Sequence, residues 1–68
     1  MLILRRKNRE QIHIGTESDF KKGTEIIVTV FREKGSDEIT VGIDAADSQK
    51  ILRGELVQKY VEGLRNGE

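Results

Sequence analysis

Residues 1–15, MLILRRKNREQIHIG, decide the fold that this sequence predicts. The stretch opens with an apolar block followed by cations, and large aliphatic side chains favour a strand that begins at the first residue. After a short turn, Ile12 and Ile14 alternate with polar residues, which is typical of a half-buried strand. We therefore predict strands over residues 1–7 and 10–14, with the two isoleucines in the core.

Two further segments predict a hairpin. Residues 25–32 are rich in β-branched side chains, and residues 38–44 alternate apolar residues with polar or small ones. Between them, Gly35-Ser36-Asp37 has the composition of a hairpin turn. We expect the two segments to pair as antiparallel strands.

The rest of the chain predicts one more strand, a helix and a loop. Residues 49–53 predict a short strand, and the apolar residues of 55–65 recur with the period of an amphipathic helix. Residues 16–24 carry charges and turn residues around one apolar side chain, Phe20, and predict an enlarged loop. The predicted fold class is mainly β: a single domain over residues 1–68, with five short antiparallel strands and a C-terminal α-helix.

Length and composition favour an oligomer. A chain of 68 residues buries only about 60% of the surface that its unfolded form exposes. Without cysteine it has no disulfides, and a single histidine cannot build a structural zinc site. A strand at the chain terminus also leaves an unpaired edge, which a second copy can cover. We therefore expect an oligomer, in which a second copy of the chain could cover the open edge by strand exchange.

Charge and hydropathy restrict the partners and the location. Twelve basic and twelve acidic residues cancel, which argues against a protein that holds long nucleic acid through charge alone, and we expect no DNA partner. Residues 1–15 contain four basic residues and one acidic residue, a net charge of +3, so any anion site should involve the first strand. No apolar run approaches the roughly 20 residues that cross a bilayer. We expect a cytoplasmic protein with no membrane partner.

Reactive residues are few. His13, predicted to face solvent, is the only imidazole, and no Ser, His and acid form a nucleophile arrangement. The scattered glycines match neither the phosphate-binding loop nor the dinucleotide fingerprint. We expect no enzymatic activity, no catalytic residue, no cofactor and no metal.

The basic residues of the first strand allow two interpretations. Successive strand residues point to opposite faces, so Arg5 and Lys7 share one face and Arg6 lies on the other. The charges either blunt an edge strand or hold the phosphates and unpaired bases of looped RNA. Arg53 is likewise either a solvated arginine or a cation that completes a site formed on dimerisation. Charge and periodicity leave these alternatives open.

Several motifs, in order and spacing, resemble the carbon storage regulator (CsrA/RsmA) family. Residues 1–15 are similar to the family's opening, M-L-x-L-x-R-K-x-G-E-x-I-x-I-G. Residues 25–30 with Gly35, and then residues 39–45, match its central hairpin, and residues 53–56 match its R-x-E-I segment. The resemblance runs from residue 1 to about residue 64.

This resemblance implies an intertwined homodimer with exchanged strands, in which the first strand of one subunit lies beside the last strand of the other. Two equivalent sites would bind GGA-containing hairpin loops in mRNA leaders, with small regulatory RNA as a further ligand. Such binding would control translation or mRNA stability. The family's RNA-contacting positions match six residues of this chain: Leu4, Arg6, Lys7, Ala45, Ile51 and Arg53.

Each of these residues has an expected role by resemblance. Arg53 would bind loop phosphate or base, and Leu4 would give apolar contact to a base. Arg6 and Lys7 would neutralise backbone charge. Ala45 and Ile51 align where the family presents backbone and apolar contacts.

The sequence also departs from the family pattern. Arg9 stands where the family has glycine, so the first turn is expected to be rebuilt, and about eight extra residues follow Gly15. Thr40, Ala46 and Leu52 replace a common basic residue, a proline and a frequent histidine. These departures favour an alternative function, a relative that chiefly binds protein, such as a flagellar assembly factor, or that forms mixed dimers.

Overall fold

The computed structural model describes residues 1–33, 35 and 37–66, and it confirms a mainly β fold of five antiparallel strands and a C-terminal helix. An additional short helix lies between the second and third strands. The elements, in chain order, are β1 (Leu2–Arg6), β2 (Gln11–Gly15), α1 (Glu17–Lys22), β3 (Ile26–Thr29), β4 (Ile39–Ile43), β5 (Lys50–Arg53) and α2 (Gly54–Asn66).

The strands form two sheets, and their pairing differs from the predicted hairpin. β1 pairs with β4, while β2 lies between β3 and β5. The prediction that residues 25–32 and 38–44 pair with each other is therefore wrong, since β3 and β4 belong to different sheets. Alternation of apolar residues determines which face of a strand is buried and does not determine its neighbour. Ser36, in the predicted hairpin turn, lies outside the described residues.

The core joins the two sheets. Leu4 of β1, Ile12 of β2 and Val30 after β3 form its buried cluster, and Ile12 is fully buried. Partly buried aliphatic residues from β2, β4 and β5 pack against it: Ile14, Ile39, Val41, Ile43 and Ile51. The prediction that Ile12 and Ile14 face the core is confirmed, although Ile14 is only partly buried.

The segment predicted as an enlarged loop contains α1. Thr16 caps this helix: its Oγ1 accepts a hydrogen bond from the Asp19 backbone N–H (3.1 Å), and Asp19 Oδ2 accepts one from the Thr16 N–H (3.0 Å). Gly23 ends the helix at φ 72°, a left-handed conformation that glycine adopts without a Cβ penalty. The loop prediction is therefore wrong for residues 17–22. The turn residues that suggested a loop are the two caps of a helix.

An aromatic contact holds α1 against α2. Phe20 is the buried residue of α1, and its ring meets the Tyr60 ring edge-to-face at a centroid distance of 5.3 Å. α2 follows β5 directly at Gly54, which lies so close to β2 that an added Cβ would be 3.1 Å from Gln11 Cβ. Among the described residues, no helix is long and apolar enough to cross a membrane.

His13 does not face solvent as predicted. It lies on the face of β2 opposite Ile12, yet its exposed fraction is only 9%. Its Nδ1 lies 2.9 Å from Glu25 Oε2, and its Nε2 lies 3.2 Å from Gln11 Oε1. The second face of β2 is therefore covered too, because α2 packs against this strand.

Candidate nucleic-acid interface

The turn between β1 and β2 presents Lys7 to solvent. The Glu10 backbone N–H donates to the Lys7 carbonyl (3.0 Å), and the Lys7 backbone N–H donates to Glu10 Oε1 (2.6 Å). Arg9 adopts φ 69° within this turn. The turn is therefore built around a left-handed residue, the conformation that glycine provides at this position in the family pattern, and Arg9 adopts it despite its Cβ.

Arg6, one residue before Lys7, is buried. Its exposed fraction is 4%, and its guanidinium donates to both carboxylate oxygens of Glu55, at 2.7 and 2.9 Å. Further bonds run to the Arg5 carbonyl (3.0 Å) and the Gln11 carbonyl (3.3 Å), and Glu10 lies 3.7 Å away. The guanidinium thus ties the end of β1 to the first turn of α2, leaving little of its surface for a ligand.

Glu55 links the two arginine positions of the predicted site. Hydrogen bonds from Arg6 lower the pKa of Glu55 to about 2, and the nearby positive charge of Arg53 contributes in the same direction. Arg53 itself is exposed at the end of β5, where its backbone is paired opposite Ile12. Arg6 and Arg53 are therefore brought together around one carboxylate, with Arg53 on the solvent side.

The other predicted site residues are distributed along the two sheets. Leu4 is buried in the core, and Ile51 packs against the same cluster from β5. Ala45 is exposed two residues after β4, whose Ile43 pairs with Leu2. Ala45 thus lies beyond the opposite end of β1 from Lys7, and within one chain the structure does not bring these two residues together.

Two contributions were missed at the sequence level. Glu55 was not among the predicted site residues, although its carboxylate accepts both hydrogen bonds from Arg6. Asn8 and Arg32 line an open cleft beside Lys7, together with Asp37. The Arg6–Glu55 pair has a signal in the sequence, since Glu55 lies in the segment that matches the R-x-E-I pattern. No signal in the sequence indicates the position of Arg32, because its place beside Asn8 depends on strand pairing.

Comparison with known proteins identifies the family of this chain. Residues 1–62 match the CsrA family, described as a global regulator protein family. The chain belongs to the CsrA family. A relative, the translational regulator CsrA of Desulforamulus reducens, is 41% identical over 66 residues, which cover 97% of this chain and 71% of that protein. No solved structure matches the chain. The CsrA match extends from β1 through most of α2, so it includes α1.

Proposed function

We propose that this protein is a post-transcriptional regulator that binds GGA-containing hairpin loops in mRNA leaders and thereby controls translation or mRNA stability. Membership of the CsrA family and the name of its relative support this function. The structural observation that carries it is the exposed Arg53 beside the Arg6–Glu55 pair, where a guanidinium can meet phosphates and unpaired bases. Because the proposed ligand is translated mRNA, the proposed location is the cytoplasm.

The proposal includes a homodimer. Among the residues that the structure describes, β1 pairs only with β4 and β5 only with β2, so each strand has an edge that another β-strand can join. Ile26 and Val28 of β3 are also exposed, although their partners on β2 point into the core. The radius of gyration is 13.0 Å, against about 11 Å expected for a compact domain of this length. A second copy that joins β1 to its β5 would cover these edges.

We propose different roles for the predicted residues, according to their burial. Lys7 and Arg53 are exposed and would contact RNA directly. Arg6 would act by positioning, since its bonds to Glu55 hold the start of α2 beside Arg53. Leu4 would act chiefly through its place on the free-edged strand β1. Ala45 would contribute an exposed backbone, and Ile51 would support the site from within the core.

An RNA titration tests the proposal. A GGA hairpin should bind with a stoichiometry of two RNAs per dimer, and binding should weaken when GGA is replaced by CCA. Arg53→Ala should cost about 1–3 kcal/mol, the usual effect of losing a charged group that hydrogen-bonds to nucleic acid. Arg65→Ala, which removes an exposed arginine from the far end of α2, is the matched control.

Two results would contradict the proposal. Equal affinity for the GGA and CCA hairpins would contradict the proposed ligand. Equal RNA affinity of the wild type and Arg53→Ala would contradict the proposed site. Light scattering tests the dimer separately: a stable folded monomer at micromolar concentration would overturn it.

A protein partner is the second candidate function, and the packing of α1 on α2 favours it. The extra residues after Gly15 contain the helix α1, and the Phe20–Tyr60 contact packs this helix against α2. A partner such as a flagellar assembly factor, or a related subunit in a mixed dimer, would bind this helical face. Ser18→Arg, on the exposed side of α1, should then abolish complex formation while leaving RNA affinity unchanged.

A further inference from the structure

An open cleft of about 360 Å³ lies beside the turn between β1 and β2. Its lining residues come from two distant parts of the chain: Lys7, Asn8, Arg32 and Asp37. Of these four residues, the resemblance to the CsrA family gives an expected role only to Lys7. The other three form a surface that the proposed loop-binding site does not use.

Hydrogen bonds hold the two segments of the cleft together. The Arg9 N–H donates to the Val30 carbonyl (2.7 Å), and the Val30 N–H donates to the Glu10 carbonyl (3.0 Å). Beyond them, the Arg32 N–H donates to Asn8 Oδ1 (3.1 Å). The backbone of Arg32 is therefore held beside the turn that presents Lys7, and the cleft is built before any ligand arrives.

The cleft is rich in positive charge. Lys7 and Arg32 line it and are exposed, and Arg9 is exposed in the adjoining turn, two residues after Lys7. Glu10 is already engaged, since its carboxylate accepts the Lys7 backbone N–H and lies 3.7 Å from Arg6. Asp37 is the acidic residue among those that line the cleft, and its Oδ1 lies 3.6 Å from Arg32 Nη1.

The pair between Asp37 and Arg32 is weak. The Asp37 side chain is 99% exposed, and ion pairs of this kind contribute little because water and salt screen them. An anion with more charge and better hydrogen-bonding geometry can therefore take the place of Asp37 beside the guanidinium.

We infer that this cleft binds a backbone phosphate of the RNA, outside the loop that the Arg53 site takes. The inference rests on the proposed function, because it concerns the same ligand. Arginine offers a planar fork of donors that fits phosphate, and lysine offers a point charge. Lys7 lies at the junction of the two surfaces, so an RNA held at the end of β1 continues into the cleft. Phosphate contacts carry no base information, so this cleft adds affinity for any sequence that flanks the loop.

Three variants change the cleft without disturbing its hydrogen-bonded frame. Arg32→Gln removes one cation and keeps the backbone bond to Asn8. Arg9→Gly removes an exposed cation from the turn that adjoins the cleft and suits the left-handed φ of that position. Asp37→Asn removes the competing carboxylate and should have the opposite effect on RNA affinity. Lys22→Gln, at the end of α1, is the matched control for loss of one positive charge.

RNA affinity should be measured against salt concentration for a GGA hairpin with a ten-base-pair stem and for a GGA-free single strand. Each lost phosphate contact should make the slope of log K against log salt shallower by about 0.7–0.9. We expect Arg32→Gln and Arg9→Gly each to lower the affinity for both RNAs by about three- to tenfold at low salt. Asp37→Asn should raise the affinity for both RNAs. Thermal unfolding of each variant confirms that it is folded.

The outcomes separate the two claims. If Arg32→Gln and Arg9→Gly match Lys22→Gln in both affinity and salt slope, the cleft holds no phosphate, even where the GGA hairpin binds normally. If the wild type shows no preference for GGA but these variants still have lower affinity for both RNAs, the proposed GGA ligand is wrong and the cleft remains a phosphate site.

Discussion

The guanidinium of Arg6 and the carboxylate of Glu55 form two parallel hydrogen bonds, Nη1 to Oε1 at 2.7 Å and Nη2 to Oε2 at 2.9 Å, between residues 49 positions apart. Arg6 is buried, while the Glu55 side chain is 53% exposed. A bidentate pair of this kind is stronger than an ordinary surface ion pair because its geometry is defined by the fork of donors. It joins the first strand of the protein to its last helix.

Glu55→Gln should lower the free energy of unfolding by about 1–2 kcal/mol, because the buried Arg6 guanidinium loses its charged acceptor. Urea unfolding followed by circular dichroism measures the change. Glu62→Gln, which alters an exposed carboxylate elsewhere on α2, should change stability by less than about 0.5 kcal/mol. Equal effects from the two variants would mean that the Arg6 pair does not stabilise the fold.

The same pair predicts a dependence of stability on acid. Glu55 has a folded-state pKa of about 2, below its usual 4.5, so its contribution is complete above about pH 4.5 and is lost as the pH falls toward 2. The loss should be about 1–2 kcal/mol once solvent screening of this half-exposed group is allowed for.

Asp19 must be separated from this effect. The backbone N–H of Thr16 holds the pKa of Asp19 below its usual value, so Asp19 also destabilises the fold on protonation. The difference between wild type and Glu55→Gln, measured as thermal midpoints from pH 6 to pH 2, isolates Glu55. That difference should shrink toward zero at pH 2, and a constant difference would argue against the assigned pKa.

Phe20→Ala should destabilise the protein by about 2–4 kcal/mol, since it removes the buried ring that joins α1 to α2. Phe31→Ala, at a phenylalanine with 70% exposure, is the matched control and should cost far less. A double-mutant cycle with Phe20→Leu and Tyr60→Leu should give a coupling of about 0.5–1.5 kcal/mol for the edge-to-face pair. Additive single effects would mean that the rings do not stabilise each other.

Arg9→Gly should stabilise the protein by about 0.5–1 kcal/mol, because glycine adopts φ 69° without a Cβ clash. Chemical denaturation measures the change. Arg9→Ala serves as the comparison: it removes the same side chain but keeps the Cβ, so it should give no such gain. Stabilisation by both variants would assign the effect to charge and not to backbone conformation.

The sequence by itself determined the five strands, the C-terminal helix and the face of β2 that enters the core. Period-two alternation identified Ile12 and Ile14 as core residues, because successive strand side chains point to opposite faces. The order and spacing of its motifs also identified the family, which the match over residues 1–62 confirms. The sequence also contains signals for the helix α1, since Thr16 and Asp19 form a capping box and Gly23 is a C-terminal cap. These residue types are equally typical of turns, so the signals did not distinguish a helix from a loop.

Only the tertiary structure decided which distant residues meet. Strand alternation does not specify a neighbour, so it could not indicate that β4 joins β1 or that Arg32 lies beside Asn8. Composition could not separate a surface arginine from a buried one either. Arg6 is buried and Arg53 is exposed because Glu55, at the start of α2, lies where it can compensate the charge of Arg6 inside the protein. Burial of a charge depends on a partner that the fold supplies, and that partner is 49 residues away along the chain.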